Sequence, residues 1–160
     1  MRTGFALVSS QYVVVQDSDL EQDPSDYAQL VVPLDSGIAD VVYGSRFPDR
    51  RRLPGQYLMH FWANRFLTVL SNLFTGLRLT DMETGYKAFR REVLQGIRIE
   101  ENRFGVEPEL TAKVVRAGWR MQEVRVSYSP RSFDHGKKIG WRDGFRAVYC
   151  ILKYSRRPQS

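Results

Sequence analysis

The sequence predicts an α/β fold, and three observations carry that prediction. An apolar, β-branched run, Tyr12-Val13-Val14-Val15, ends in the closely spaced acids Asp17, Asp19 and Glu21. A helical stretch then leads into a second strand-like run over 39–46, and this order of strand, helix and strand implies a parallel pair joined by a right-handed crossover. Helix-like and strand-like periodicities keep alternating to the end of the chain.

Composition narrows the class. The 160 residues suit one domain with a real core, and the surplus of 24 Lys and Arg over 18 Asp and Glu gives +6, which points to an anionic partner without identifying it. The charge is unevenly spread. Up to residue 35 the acids Asp17, Asp19, Glu21, Asp23, Asp26 and Asp35 face only Arg2, whereas the last thirty residues carry Arg131, Lys137, Lys138, Arg142, Arg146, Lys153, Arg156 and Arg157 against Asp134 and Asp143. Cys150 is the only cysteine, so an intrachain disulfide is excluded and a reducing compartment is expected. With only His60 and His135 beside it, a structural zinc site is not expected. No run of eighteen apolar residues is present to span a membrane, and the apolar stretch Phe5 to Val8 is interrupted by Ser9, Ser10 and Gln11 before any signal-peptide cleavage region.

The elements can be taken in chain order. Residues 2–8 read as the end of a helix feeding the Val13 strand, which is expected to be buried on both faces. Asp17 and Asp19 fall at its carboxyl end, the edge of an open α/β sheet where ligands bind. Two acids one residue apart would repel unless a divalent cation lay between them, and hard carboxylate oxygens suit Mg²⁺ or Mn²⁺. The same acids also suit a turn or a helix N-cap, and spacing alone does not separate the two readings. A strand with such ligands needs neighbours on both sides, so a larger domain is expected to begin upstream, with this chain its later part.

Asp23-Pro24-Ser25-Asp26 starts a helix whose Tyr27, Leu30, Val31 and Leu34 recur at helical spacing, and Ser36-Gly37 ends it. In the strand over 39–46, Gly44 permits close backbone approach and Arg46 is delivered to the strand end. A proline-bounded loop with Arg50-Arg51-Arg52 precedes a helix over 56–74, whose broad face of Leu58, Phe61, Trp62, Phe66, Val69, Leu70 and Leu73 is expected to be core, lipid contact being the minority reading. Asp81 and Glu83 precede Gly85 and a strand over 86–89, where capping and catalysis are again hard to separate. Short helices over 91–96 and 104–117, a half-buried strand over 122–128 and a loop over 130–140 with three cations come next. The final helix, 141–154, sets Phe145, Val148, Tyr149 and Leu152 on one side and could lie on an anionic membrane surface.

Five stretches, taken together, resemble the motifs of family-two glycosyltransferases of the dolichol-phosphate mannose synthase type: Gln16-Asp17-Ser18-Asp19-Leu20-Glu21, Asp40-Val41-Val42-Tyr43-Gly44-Ser45-Arg46, 79–87, 104–109 and Gly136-Lys137-Lys138-Ile139-Gly140-Trp141. They occur in the family's order and span essentially the whole chain. The resemblance implies a GT-A-like fold, a Rossmann-like mixed sheet flanked by helices, of which this is the C-terminal portion. It divides the chain into a metal- and donor-side unit (1–46), an acceptor-side unit with the remaining sheet elements (47–130), and a basic loop with an amphipathic helix (131–160). It implies inverting transfer of a sugar from a nucleotide sugar, GDP-mannose or a UDP-sugar, to a polyisoprenyl or dolichyl phosphate at the cytoplasmic membrane face, with no nucleic-acid partner. Asp17, Asp19 and Glu21 would hold Mg²⁺ or Mn²⁺ and the donor diphosphate. Arg46, Arg131, Lys137 and Lys138 would bind the acceptor phosphate, Arg131 also serving in transfer, and Asp81 would line the reaction centre.

The chain departs from the family pattern in lacking the first strand and the Pro-x-x-Asn-Glu-like loop before Arg2, and in having Ser18 where a small alanine is usual. Two other classes stand beside this reading. A haloacid-dehalogenase-like phosphatase also ends a strand in Asp-x-Asp, but Leu20-Glu21 replaces the pair expected next. A non-catalytic basic domain binding anionic lipid or nucleic acid would bind in a salt-sensitive way and survive loss of Asp17 and Asp19.

Overall fold

A computed structural model describes residues 1–17, 21–47, 58–129 and 141–155. Four strands, β1 (Tyr12–Val15), β2 (Val41–Ser45), β3 (Lys87–Arg90) and β4 (Met121–Arg125), form one sheet in the order β1-β3-β2-β4. β3 runs antiparallel to both its neighbours, and β2 and β4 pair in parallel. β1 and β2 therefore do point the same way, but they are not the adjacent pair expected. β3 lies between them, paired antiparallel with each, and its Ala88 and Phe89 bury on opposite faces of the sheet.

The sheet is covered on both sides. Val41, Tyr43 and Phe89 project into a large core completed by Val93, Leu94, Leu110, Val114 and Ile151, while Val42 and Ala88 project into a smaller one with Leu30 and Leu34. β1, expected to be fully buried, is half-buried along its whole length, since among the described residues only β3 pairs with it. Gly44 is where β2 meets a neighbour too closely for any side chain: a Cβ there would stand 2.7 Å from Val126 Cγ1.

Helices close the layers. α1 (Arg2–Ala6) is anchored by Arg2, whose guanidinium donates to the carbonyls of Ile99 and Glu101 at 2.9 and 2.7 Å. A 3₁₀ turn, Pro24–Asp26, opened by the Asp23 carboxylate accepting from the Ser25 N–H, runs into α2 (Tyr27–Asp35). Gly37, at φ 73°, ends that helix as only glycine does without strain. α4 (Arg91–Gly96), a second 3₁₀ turn (Arg103–Gly105) and α5 (Val106–Arg116) pack behind the sheet.

One of the two remaining helices is turned differently from the expectation. α3 (Leu58–Thr75) directs Asn64, Thr68 and Ser71 inward with Phe61, and leaves Met59, Trp62, Phe66, Val69 and Leu73 exposed. Much of the stripe read as core is surface. α6 (Trp141–Ser155) buries Ala147, Cys150, Ile151 and Tyr154 and exposes Trp141, Phe145, Tyr149 and Leu152. The two helices pack against each other. Buried Glu101 holds α6 in place by accepting from Arg146, Lys153 and Tyr154. No helix of the described residues is long and apolar enough to cross a membrane.

Candidate active site

The carboxyl ends of β1, β2 and β4 and the amino end of β3 share one sheet edge, so four distant stretches meet there. Immediately after β2, Arg46 turns onto the segment before β3. Its Nε and Nη2 donate to Asp81 Oδ2 and Oδ1 at 2.7 and 2.9 Å, and its own N–H adds a third bond to Oδ2 at 3.1 Å. Asn64, reaching in from α3, donates to Asp81 Oδ1 at 2.7 Å. Asp81 is 0% exposed. Burial alone would raise its pKa, but the Arg46 guanidinium and these donors outweigh it and hold the carboxyl below its ordinary value.

The stretch carrying Asp81 is irregular, and its backbone finds partners in side chains. Asn72 receives the Leu79 N–H and donates to the Leu79 carbonyl. Glu123 on β4 accepts from the N–H groups of Thr80 and Asp81 at 2.9 and 3.0 Å, and Thr68 Oγ1 accepts from that of Met82 at 3.1 Å. Polar residues on the inner face of α3 thus satisfy groups that no sheet or helix can, which is why that face is polar. Arg46 also lies over the rings of Phe47 and Tyr128, 5.1 and 5.5 Å from their centroids.

Tyr128 links this centre to the acids after β1. Its hydroxyl donates to Glu21 Oε2 at 3.4 Å, and the Ser129 N–H donates to the Glu21 carbonyl at 2.9 Å. Asp17 stands exposed at the end of β1 against Gly85, where a Cβ would fall 2.4 Å from Asp17 Oδ2 and 3.5 Å from Gln22 Oε1. Behind Gly85, Lys87 is buried, pairs with Glu107, donates to the Thr84 carbonyl and lies 4.7 Å from the Tyr43 ring centroid. Glu83 Oε1 is enclosed without a hydrogen-bond partner among the described residues. Burial first, and then the neighbouring Glu107 charge, push its pKa up to about 8 against the opposing pull of Lys87 and Arg46.

Of the residues singled out in the sequence, Asp17, Glu21, Arg46 and Asp81 come together along this edge. Asp19, Arg131, Lys137 and Lys138 lie outside the described residues. Asn64, Glu123, Tyr128 and Gln22 were not predicted as site residues. Only Asn64 left a usable signal, a polar residue four before Thr68 and so on the same side of the helix.

This edge belongs to a known family. The model of "Glycosyl transferase family 2" matches residues 1–98. An uncharacterized glycosyltransferase of Mycobacterium tuberculosis is 34% identical over 157 residues, covering 96% of this chain and 68% of the relative. The chain belongs to glycosyl transferase family 2. The undecaprenyl-phosphate mannosyltransferase of Micrococcus luteus is 28% identical over 136 residues, 80% of this chain and 53% of the relative. The GT-A-type architecture is shared with the glucosyl-3-phosphoglycerate synthase of Mycobacterium tuberculosis, crystallised with Mn²⁺, uridine diphosphate and phosphoglyceric acid, at a TM-score of 0.68 and 21% identity over 98% of this chain. The chain spans about half the length of that structure, 53%, and of the Micrococcus relative.

The solved synthase that shares this fold was crystallised with Mn²⁺. Among the described residues no group of three or more His, Cys, Asp or Glu side chains is gathered to hold a metal. The donors that are present nevertheless fit one in kind. Asp17 and Glu21 supply hard carboxylate oxygens, and the buried Gln22 Oε1 beside Asp17 has no donor among the described residues.

Proposed function

We propose that this chain forms the C-terminal portion of an enzyme that transfers a sugar, with inversion, from a nucleotide sugar to a polyisoprenyl phosphate at the cytoplasmic face of a membrane. The observation that carries the reading is the meeting, on one sheet edge, of the Asp17–Glu21 oxygens and the Arg46 guanidinium, joined through Tyr128. Asp17, Asp19 and Glu21 hold Mg²⁺ or Mn²⁺ against the donor diphosphate. When bound, that cation neutralises the charge on the leaving group.

Arg46, with Arg131, Lys137 and Lys138, receives the acceptor phosphate, for which a planar guanidinium is well suited. A phosphate monoester is already ionised near neutral pH, so the acceptor needs no base. Asp81 accordingly acts as the buried counter-charge that aims Arg46, its carboxylate being saturated with donors. The donor is GDP-mannose or a UDP-sugar, in keeping with the names of the Micrococcus and Mycobacterium proteins. The outward aromatics of α3 and α6, Trp62, Phe66, Trp141 and Phe145, interspersed with Arg142, Arg146 and Lys153, form the face that meets the bilayer and its anionic headgroups.

The test is transfer to a short polyprenyl phosphate with Mn²⁺ or Mg²⁺, offering GDP-mannose, UDP-glucose and UDP-N-acetylglucosamine, by this chain and by a version extended to the length of its relatives. Asp17→Asn should abolish metal-dependent donor binding, and Arg46→Ala should lower transfer by about 100-fold or more with donor binding retained. Unchanged turnover in both variants would overturn the assignment.

A further inference from the structure

The segment after the acids carries an unexplained polar group. Gln22 is 8% exposed, and among the described residues its Oε1 finds no hydrogen-bond donor. Buried amide oxygens are nearly always paired, so an unpaired one calls for a partner that supplies positive charge. The segment is not free to turn it away. On one side of Gln22 the Glu21 carbonyl accepts from the Ser129 N–H at 2.9 Å; on the other the Asp23 carbonyl accepts from the Tyr86 hydroxyl at 2.9 Å, and the Asp23 side chain caps Ser25.

The oxygen is directed at the same place as Asp17. A Cβ on Gly85 would lie 2.4 Å from Asp17 Oδ2, 2.9 Å from Asp17 Cγ and 3.5 Å from Gln22 Oε1, so the absent side chain lets the Asp17 carboxylate come against the backbone there, beside the Gln22 oxygen. Gly85 is not among the glycines with positive φ, and the demand for a missing side chain there is therefore one of space. A carboxylate and an amide carbonyl are both acceptors. Brought together with no donor between them they repel, and a hard cation is the species that turns the repulsion into two bonds.

We infer that Gln22 lends its Oε1 to the same divalent cation as Asp17, closing the metal site from the sheet side beside Gly85. The inference rests on the proposed donor-side role of Asp17. A neutral oxygen at this position completes the shell without adding negative charge that would oppose a diphosphate. It also fixes the cation to the segment that Ser129 and Tyr86 tie down, so the metal is positioned by the sheet as well as by the exposed strand end.

The experiment is a Mn²⁺ titration of the chain, without nucleotide or lipid, read from the electron paramagnetic resonance signal of free Mn²⁺. The proteins compared are wild type, Asp17→Asn, Gln22→Met and Gln22→Glu, with thermal melts to establish that each is folded. Methionine keeps the volume and removes the hard oxygen. Expected is loss of binding in Asp17→Asn, about tenfold weaker binding in Gln22→Met, and binding at least as tight as wild type in Gln22→Glu, which restores an oxygen. Binding within twofold of wild type in Gln22→Met, with Asp17→Asn still inactive in the titration, would overturn the role of Gln22 and leave that of Asp17 standing. Equal weakening in Gln22→Met and Gln22→Glu would also overturn it, by showing that the amide acts as a hydrogen-bond donor to Asp17. Absence of Mn²⁺ binding by the folded wild type would remove both the inference and the donor-side reading beneath it.

Discussion

Asp81 and Asp17 are the same residue on the same sheet edge, and their surroundings are opposite. Asp81 is wholly buried and receives donors from Arg46 and Asn64, with Glu123 holding its backbone from behind. Asp17 is exposed and lies against Gly85, beside an amide oxygen that cannot donate to it. The count of donors around a carboxylate separates the two jobs. A saturated one positions its neighbours, and an unsaturated one has lone pairs left for a ligand.

The two aspartates should differ most when each loses its charge. Asp81→Asn leaves the Arg46 guanidinium enclosed without its counter-charge, and removal of one partner from a buried pair costs about 3–5 kcal/mol. Urea unfolding should show that loss, whereas Asp17→Asn should stay within about 0.5 kcal/mol of wild type. Similar stabilities for the two variants would erase the distinction.

Glu83 extends the contrast to pH. Its carboxyl is protonated in the folded chain up to about pH 8 but in the unfolded chain only up to about 4.3. Between those values the folded state binds more protons, so stability falls as pH rises, and the loss is complete above about 8. Glu83→Gln, a permanent mimic of the neutral acid, should match wild type near pH 4 and exceed it by about 2 kcal/mol at pH 8.5, an order-of-magnitude figure for a group enclosed without a partner. Parallel stability curves from pH 4 to 8.5 would rule out the buried proton.

Gly85→Ala should cost about 1 kcal/mol of stability, because Asp17 can swing into solvent to avoid the new methyl group. Metal affinity should suffer more than folding does. Mn²⁺ binding unaltered in Gly85→Ala would mean that the close approach of Asp17 to Gly85 has no part in the site.

The strand ends bearing Asp17 and Arg46 were legible because continuous β-branched runs announce buried or half-buried strands and so locate the residues at their carboxyl ends. Sheet order was not, since β3 takes its place between β1 and β2 through pairings such as Val13 with Phe89 and Val41 with Phe89, which no local pattern encodes. The α3 face misled for a different reason. Periodicity tells which residues share a side of a helix but not which side has a neighbour, and here the neighbour is the irregular stretch 79–82, which needs Asn64, Thr68 and Asn72. Tyr128 and Glu123 acquire their roles only from the parallel pairing of β2 with β4, which brings β4 and the extended residues after it beside Ser45 and Arg46. In the sequence, Gln22 carries no mark at all.

The sheet order also governs how the molecule is made. None of the described strand pairs is a hairpin, and the contacts that assemble the edge join residues 35 positions apart, Arg46 with Asp81, and 107 apart, Glu21 with Tyr128. Chain entropy must be surrendered over these long loops before any pairing repays it, and such non-local pairing slows folding. The edge is thus completed late: the Tyr128 link between its acids and its arginine forms only once β4, an outer strand, has docked.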